Sequence, residues 1–319
     1  MNKTTLTLLV LLTLAIILAL VIFDFMGDRP DKRGENPYEY NVDQFKVVDP
    51  GLVHYRETKN IPLGDRVPGG IDVFDEEIFL TGLNFVLVIH PDGLQKSSFL
   101  IDGKGECIKA TEKNIIVGLK TAVMVYDHSG TLISSWDIEN GRTIVTSIAV
   151  KDDMLFVADA GNRRVLRYNL MGELQAEFEG KREGNAGHGF IVPSANFEVV
   201  VNSFGELWIT NPGEHAIENY TDNGQIRGYW AKSSMEIEGF TGCCNPAEIA
   251  VLEDGSFVTG EKGLVRIKVY NASGELISVV APPEKFNEEG HAPEVAVGKN
   301  GEIYALDFDR NLIRLFEKK

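Results

Sequence analysis

Positive charge is scarce in this chain of 319 residues, where 31 Lys and Arg stand against 47 Asp and Glu for a formal net charge of −16. Nucleic-acid binding draws much of its affinity from cationic side chains on phosphates, so this balance excludes nucleic acid as a partner. Cysteine is sparse as well. Three cysteines are too few for a disulfide scaffold, and the odd count leaves at least one without an internal bridge. Catalytic signatures are missing: there is no Gly-x-Ser-x-Gly elbow, His-Glu-x-x-His pair, Walker-type loop or Cys-x-x-Cys-His haem attachment. What remains, 44% hydrophobic and 24% charged, is the composition of an ordinary globular chain with one large domain or two small ones.

Long uncharged runs are confined to one place. Residues 4–23 (TTLTLLVLLTLAIILALVIF) carry no charge, and about 20 residues at a helical rise of ~1.5 Å cross a bilayer core of roughly 30 Å. No small-x-small cleavage site follows in Asp24-Phe25-Met26-Gly27-Asp28, so the segment reads as an uncleaved signal-anchor. Arg29, Lys32 and Arg33 lie beyond its far end, but Asp24, Asp28 and Asp31 are interspersed among them. The large acidic remainder is expected outside the cytoplasm, periplasmic or extracellular, with the amino terminus inside the cell. The expected layout is 1–27 for the cytoplasmic tip and transmembrane helix, 28–46 for a polar tether and 47–319 for the folded domain.

That domain is a repeat. An alternating strand, a Gly turn, a second strand, a polar turn, a third strand and a Gly turn before a fourth recur at 146–178, 197–230 and 247–280. Weaker copies occupy 70–101 and 106–136, and a sixth from 293 stops after three strands. The outer-turn glycines, Gly93, Gly130, Gly172, Gly224 and Gly274, are spaced by 37, 42, 52 and 50 residues. Such spacing suits four-stranded propeller blades. The expectation is an all-β, six-bladed β-propeller with an N-terminal transmembrane helix, its last blade completed by the strand near 51–63. Closure of that kind removes an open sheet edge.

The third copy reads Ala158-Asp159-x-x-Asn162-x-Arg164-Val165, then Tyr168 and Gly172-Glu173-Leu174, and its connector reads Gly187-His188-Gly189-Phe190-x-x-Pro193. In these residues the chain resembles the NHL-repeat family of six-bladed propellers over about 47–319. The middle turns of the second and fifth copies depart from the pattern, with Gly118-Leu119-Lys120-Thr121 and Gly260-Glu261-Lys262-Gly263. The Asp/Asn pair of that turn reads as structural, a side-chain-to-backbone brace.

Aligning the starts of the innermost strands puts Cys107, Ser147, Glu198, Glu248 and Glu294 at one position. Three carboxylates around one channel repel one another unless a cation offsets them, which favours a divalent metal ion or a basic ligand. The plainer alternatives are a solvated acidic rim or hydrogen bonds to neighbouring-blade amides. His188 and His291, in the connectors before the fourth and sixth blades, could join those glutamates, because NHL-like lyases that cleave carbinolamide substrates place histidines around a channel metal. Asn245 is expected in the same ligand-binding funnel. The loop Gly242-Cys243-Cys244-Asn245-Pro246 leaves Cys243 and Cys244 as a vicinal disulfide, soft-metal ligands or a redox pair, and this motif resembles a marker of a subset of NHL-type proteins. Blades two and five stand opposite one another, so a bridge to Cys107 is not expected. Function then divides between a membrane-tethered scaffold binding a protein or small-molecule ligand, a metal-dependent hydrolase or lyase in the funnel, and a cysteine-based redox protein.

Overall fold

Alternation at period two, broken by Asx-Gly turns, folds the chain into six four-stranded antiparallel sheets, each ordered from the innermost strand outward. The computed structural model describes residues 2–26, 42–138, 141–181, 189–288 and 290–319. Two units are separable, Met1–Val42 and Asp43–Lys319. The first contains the helix Lys3–Met26, whose uncharged stretch Thr4–Val21 is long and apolar enough to cross a membrane and is wholly unburied. Most of the expected tether, and His188, lie outside the described residues.

The second unit is a six-bladed propeller. Blades 1 to 5 comprise strands within 68–99, 105–137, 145–178, 199–231 and 248–281. Blade 6 takes three strands from 294–318, and its outermost strand, Tyr55–Pro62, pairs antiparallel with Leu312–Lys318. Both ends of the propeller are thus hydrogen-bonded into one sheet, and Arg314 reinforces the junction. Its Nε and Nη2 donate to the two oxygens of Glu57 at 3.0 and 2.8 Å, Nη1 donates to the Lys285 carbonyl at 2.9 Å, and the guanidinium lies 4.7 Å from the Phe286 ring centroid. Burial pushes the Glu57 carboxyl up, but its bonds to Arg314 outweigh this and leave it below its ordinary value.

Outer turns follow directly from their residues. Asp127 Oδ1 accepts from the backbone N–H of Ser129 and Thr131 at 2.8 and 2.9 Å, and Asn169 and Asn271 repeat the arrangement in blades 3 and 5. The glycine that follows adopts φ of 83° at both Gly172 and Gly274, in the left-handed region. A Cβ at those two positions would also fall 2.6 and 2.5 Å from Trp136 and Trp230 of the preceding blade. Each glycine therefore serves the turn and the contact between blades.

The core lies between blades. Phe79, Val86 and Val88 of blade 1 pack with Ile108, Ile115 and Tyr126 of blade 2, and Ile78, Leu80 and Leu87 of blade 1 pack with Leu306 and Ile313 of blade 6. Asp159, buried in the middle turn of blade 3, accepts from Ile144 N–H at 3.1 Å, Asn162 Nδ2 at 2.7 Å and Arg164 Nε at 2.9 Å. In blade 5 the equivalent turn is rebuilt around fully buried Glu261, paired with Arg266 at 3.0 Å and Lys268 at 2.7 Å.

Candidate functional site in the central funnel

The innermost strands ring the axis and carry one equivalent position each: Gly70, Cys107, Ser147, Glu198, Glu248 and Glu294. The ring is chemically lopsided. Blades 4, 5 and 6 supply carboxyls, while blades 1, 2 and 3 supply a bare backbone, a thiol and a hydroxyl. Glu198, Glu248 and Glu294 line both a neck cavity of about 140 Å³ and a wider mouth of about 520 Å³. They therefore stand where the mouth narrows to the neck.

Among the described residues, few protein donors meet these carboxyls. Ile71 N–H donates to Glu294 Oε1 at 3.2 Å across the blade 6 to blade 1 boundary, and Asn196 Nδ2 donates to Glu248 Oε1 at 3.2 Å. The Ser147 hydroxyl, which acts to lower Glu198, is 3.3 Å from both Val199 N and O. Burial dominates the result. Burial, then the charges of Glu248 and Glu294, hold the Glu198 carboxyl well above its ordinary range. Glu248 is pushed up to about 8 by burial, against the opposing pull of Asn196, Glu198 and Lys262. Burial and the Glu248 charge raise Glu294, with the Ile71 amide opposing. Cys107 is raised by burial and by Glu198 and Glu294, so it stays a neutral thiol. Near neutral pH the cluster holds protons that free carboxylates would have lost, and a cation entering the funnel would displace them.

His291 reaches the mouth, which is also lined by Lys104, Lys120, Ala195 and Phe308. Its Nδ1 lies 2.6 Å from Asp309 Oδ1, and its backbone N–H donates to Asp309 Oδ2 at 3.0 Å, so one carboxylate orients both ring and backbone. Asn245, expected in the funnel, lines neither cavity. It is buried, donates from Nδ2 to the carbonyls of Thr241 at 2.6 Å and Lys262 at 2.9 Å, and accepts from Lys262 N–H at 3.0 Å. Its amide braces the Cys-Cys loop against the middle turn of blade 5.

Cys243 is exposed and Cys244 buried, both as free thiols with sulfurs 2.9 Å apart, and Cys107 is likewise free. Among the described residues, no group of three or more His, Cys, Asp or Glu is placed to hold a metal ion. The described residues thus offer no three-ligand cluster to a divalent metal, one of the two occupants the sequence left open, and no chemistry is routed through one.

Sequence reasoning missed Ser194, Asn196, Lys262 and Asp309. Lys262 Nζ donates to Ser194 Oγ at 2.8 Å and Asn196 Oδ1 at 3.0 Å. The one signal for Lys262 was the departure of its turn, Gly260-Glu261-Lys262-Gly263, from the Asp/Asn pattern. Nothing in the pattern marked the other three.

Comparison with known proteins places the architecture. A streptogramin B lyase structure matches at 14% identity with a TM-score of 0.59, covering 83% of this chain and 98% of that one. Virginiamycin B lyase from Staphylococcus aureus matches at 17% and 0.56, covering 83% and 88%. The WD40 β-propeller domain of Doa1 matches at 13% and 0.55, covering 83% and 97%. Identities this low show the fold alone. No family model and no curated protein matches the chain.

Proposed function

We propose that this protein is a membrane-tethered, extracytoplasmic propeller of the NHL-repeat type that binds a small amine-bearing ligand in its central funnel. The observation that carries this reading is the convergence of Glu198, Glu248 and Glu294 from three consecutive blades on one cavity boundary, with few protein donors to satisfy them. A buried carboxylate gains most from a partner that brings positive charge and hydrogen-bond donors together, and an ammonium group does both. Lys120 on the mouth gives an anionic group elsewhere on the ligand a place to rest, while Lys104 beside it is paired with Glu106 at 2.6 Å. The helix Lys3–Met26 supports the tether by length and composition. The lyase alternative draws on likeness of fold, which is not an argument about chemistry.

Calorimetric titration of the detergent-solubilised full chain with aliphatic diamines, and with the matching diols as controls, tests the proposal. Diamine binding is expected to strengthen as pH rises through about 8, where Glu248 ionises, and to weaken at least ~10-fold in Glu248→Gln and Glu294→Gln, equivalent to ~1.4 kcal/mol. Equal affinity for diols and diamines, or affinity untouched by both variants, would refute it.

A further inference from the structure

The connector into blade 5 is unusually well held for a loop. Arg266 Nη2 and Lys268 Nζ, both from fully buried side chains, donate to the Gly239 carbonyl at 2.8 and 2.7 Å, and Lys268 also donates to the Ile237 carbonyl at 2.9 Å. Downstream, His215 Nε2 lies 2.5 Å from the Gly242 carbonyl, and Asn245 clamps Thr241 to Lys262. Cys243 and Cys244 therefore occupy a fixed position between two anchored stretches. One sulfur is open to solvent and the other is not.

Lys262 supplies the second, independent observation. Its ammonium is aimed at Ser194 and Asn196, and among the described residues it forms no ion pair with a carboxylate. The Lys262 charge and the Ser194 hydroxyl, joined to each other at 2.8 Å, both act to lower the Cys244 thiol. A thiolate at Cys244 would thus find a cation and a hydroxyl already in place.

We infer that Cys243 and Cys244 form a redox-active dithiol that exchanges with low-molecular-weight disulfides, with Cys243 as the attacking sulfur and Cys244 as the resolving thiolate. This goes beyond the funnel reading and does not depend on it. The pair's single proton passes to Cys244 as Cys243 attacks a disulfide RSSR, forming a Cys243–SR bond and expelling RS⁻. That thiolate takes the proton back from Cys244 and leaves as RSH. The Cys244 thiolate, held by Lys262 and Ser194, then attacks Cys243 Sγ, forms the Cys243–Cys244 bond and expels the second RS⁻. The dithiol is oxidised by two electrons and the RSSR reduced by two.

The electrostatics favour Cys244 as the resolving thiolate, and Cys243, the solvent-exposed residue, becomes the attacking thiolate by passing its proton to Cys244. Burial acts to raise Cys244, but donation from Cys243, Ser194 and Lys262 outweighs it and lowers the thiol, while its bond to Cys244 raises Cys243. Adjacent residues place their Cα atoms about 3.8 Å apart, below the roughly 4.4 Å at which ordinary bridges begin. A disulfide here is therefore easily reopened, and a leaving thiolate stabilised by Lys262 favours the reduced form further.

The test equilibrates the full chain in detergent with buffers of reduced and oxidised glutathione, followed by alkylation and intact mass measurement. The expected result is one two-electron transition that protects Cys243 and Cys244 together and leaves Cys107 a thiol. Lys262→Met should shift the midpoint about tenfold toward the disulfide, ~30 mV more reducing, and Lys262→Arg should restore most of it. Cys244→Ser should trap one glutathione on Cys243, which keeps the question answerable if Lys262→Met fails to fold. Persistence of both thiols in oxidised glutathione, separate adducts on each cysteine, or a folded Lys262→Met with an unmoved midpoint would overturn the inference.

Discussion

Replacing Glu248 by Gln removes an ionisable group while keeping its shape and its acceptor for Asn196. In the folded chain this carboxyl keeps its proton up to about pH 8, against an ordinary value of 4.5. Between those values the folded state binds more protons than the unfolded one, so stability falls as pH rises through the window. The contribution is complete below 4.5 and gone above 8. At ~1.4 kcal/mol per pH unit the full span is a ceiling of about 5 kcal/mol, and the effective dielectric of real interiors reduces it. Even a third of that moves the melting temperature of a domain this size by about 3 °C. Thermal melts of wild type and Glu248→Gln at pH 5 and pH 8.5 read the effect. The variant should match wild type at pH 5 and exceed it by ~3 °C or more at pH 8.5. An equal difference at both pH values would show that Glu248 is not held neutral by burial, and the account of the funnel would fail with it.

Arg314→Ala leaves Glu57 without its buried partner, while Asp307 keeps Arg310 at 3.0 Å, and should destabilise the propeller by about 3 kcal/mol, read as a lower urea midpoint. A cost within ~0.5 kcal/mol would mean that strand pairing alone closes the ring. Oxidising Cys243 and Cys244 removes any negative charge on Cys244 that Lys262 offsets, and the Lys262 charge also acts on Glu248. Glu248 should become more acidic, so the pH at which diamines bind half-maximally should fall; an unchanged value would separate the two sites.

Much of the funnel was legible because a repeat converts one-dimensional spacing into angular position. Once the outer glycines set the blade period, aligned inner-strand residues had to meet around one axis, and Glu198, Glu248 and Glu294 were found together for that reason. The closing strand was legible from a sixth copy one strand short. Asn245 was misplaced because adjacency to the cysteines says nothing of direction, and its amide turned inward to the backbone of Lys262. His291 was found, but its partner Asp309, 18 residues on, was not.

The amino-acid order by itself determined the apolar helix, the six blades, their ring closure and the three carboxyls at one level of the channel. These rest on local alternation, turn chemistry and nearest-neighbour packing, all of which repeat and so announce themselves. Only the tertiary structure decided that burial outweighs mutual repulsion in raising those carboxyls, that a buried Glu261–Arg266–Lys268 group pins the blade 5 connector, and that Lys262 meets Cys244, Ser194 and Asn196. Those contacts join connectors that follow no period, across separations of up to 68 residues. Solvent exclusion and side-chain direction arise only when the blades close on one another.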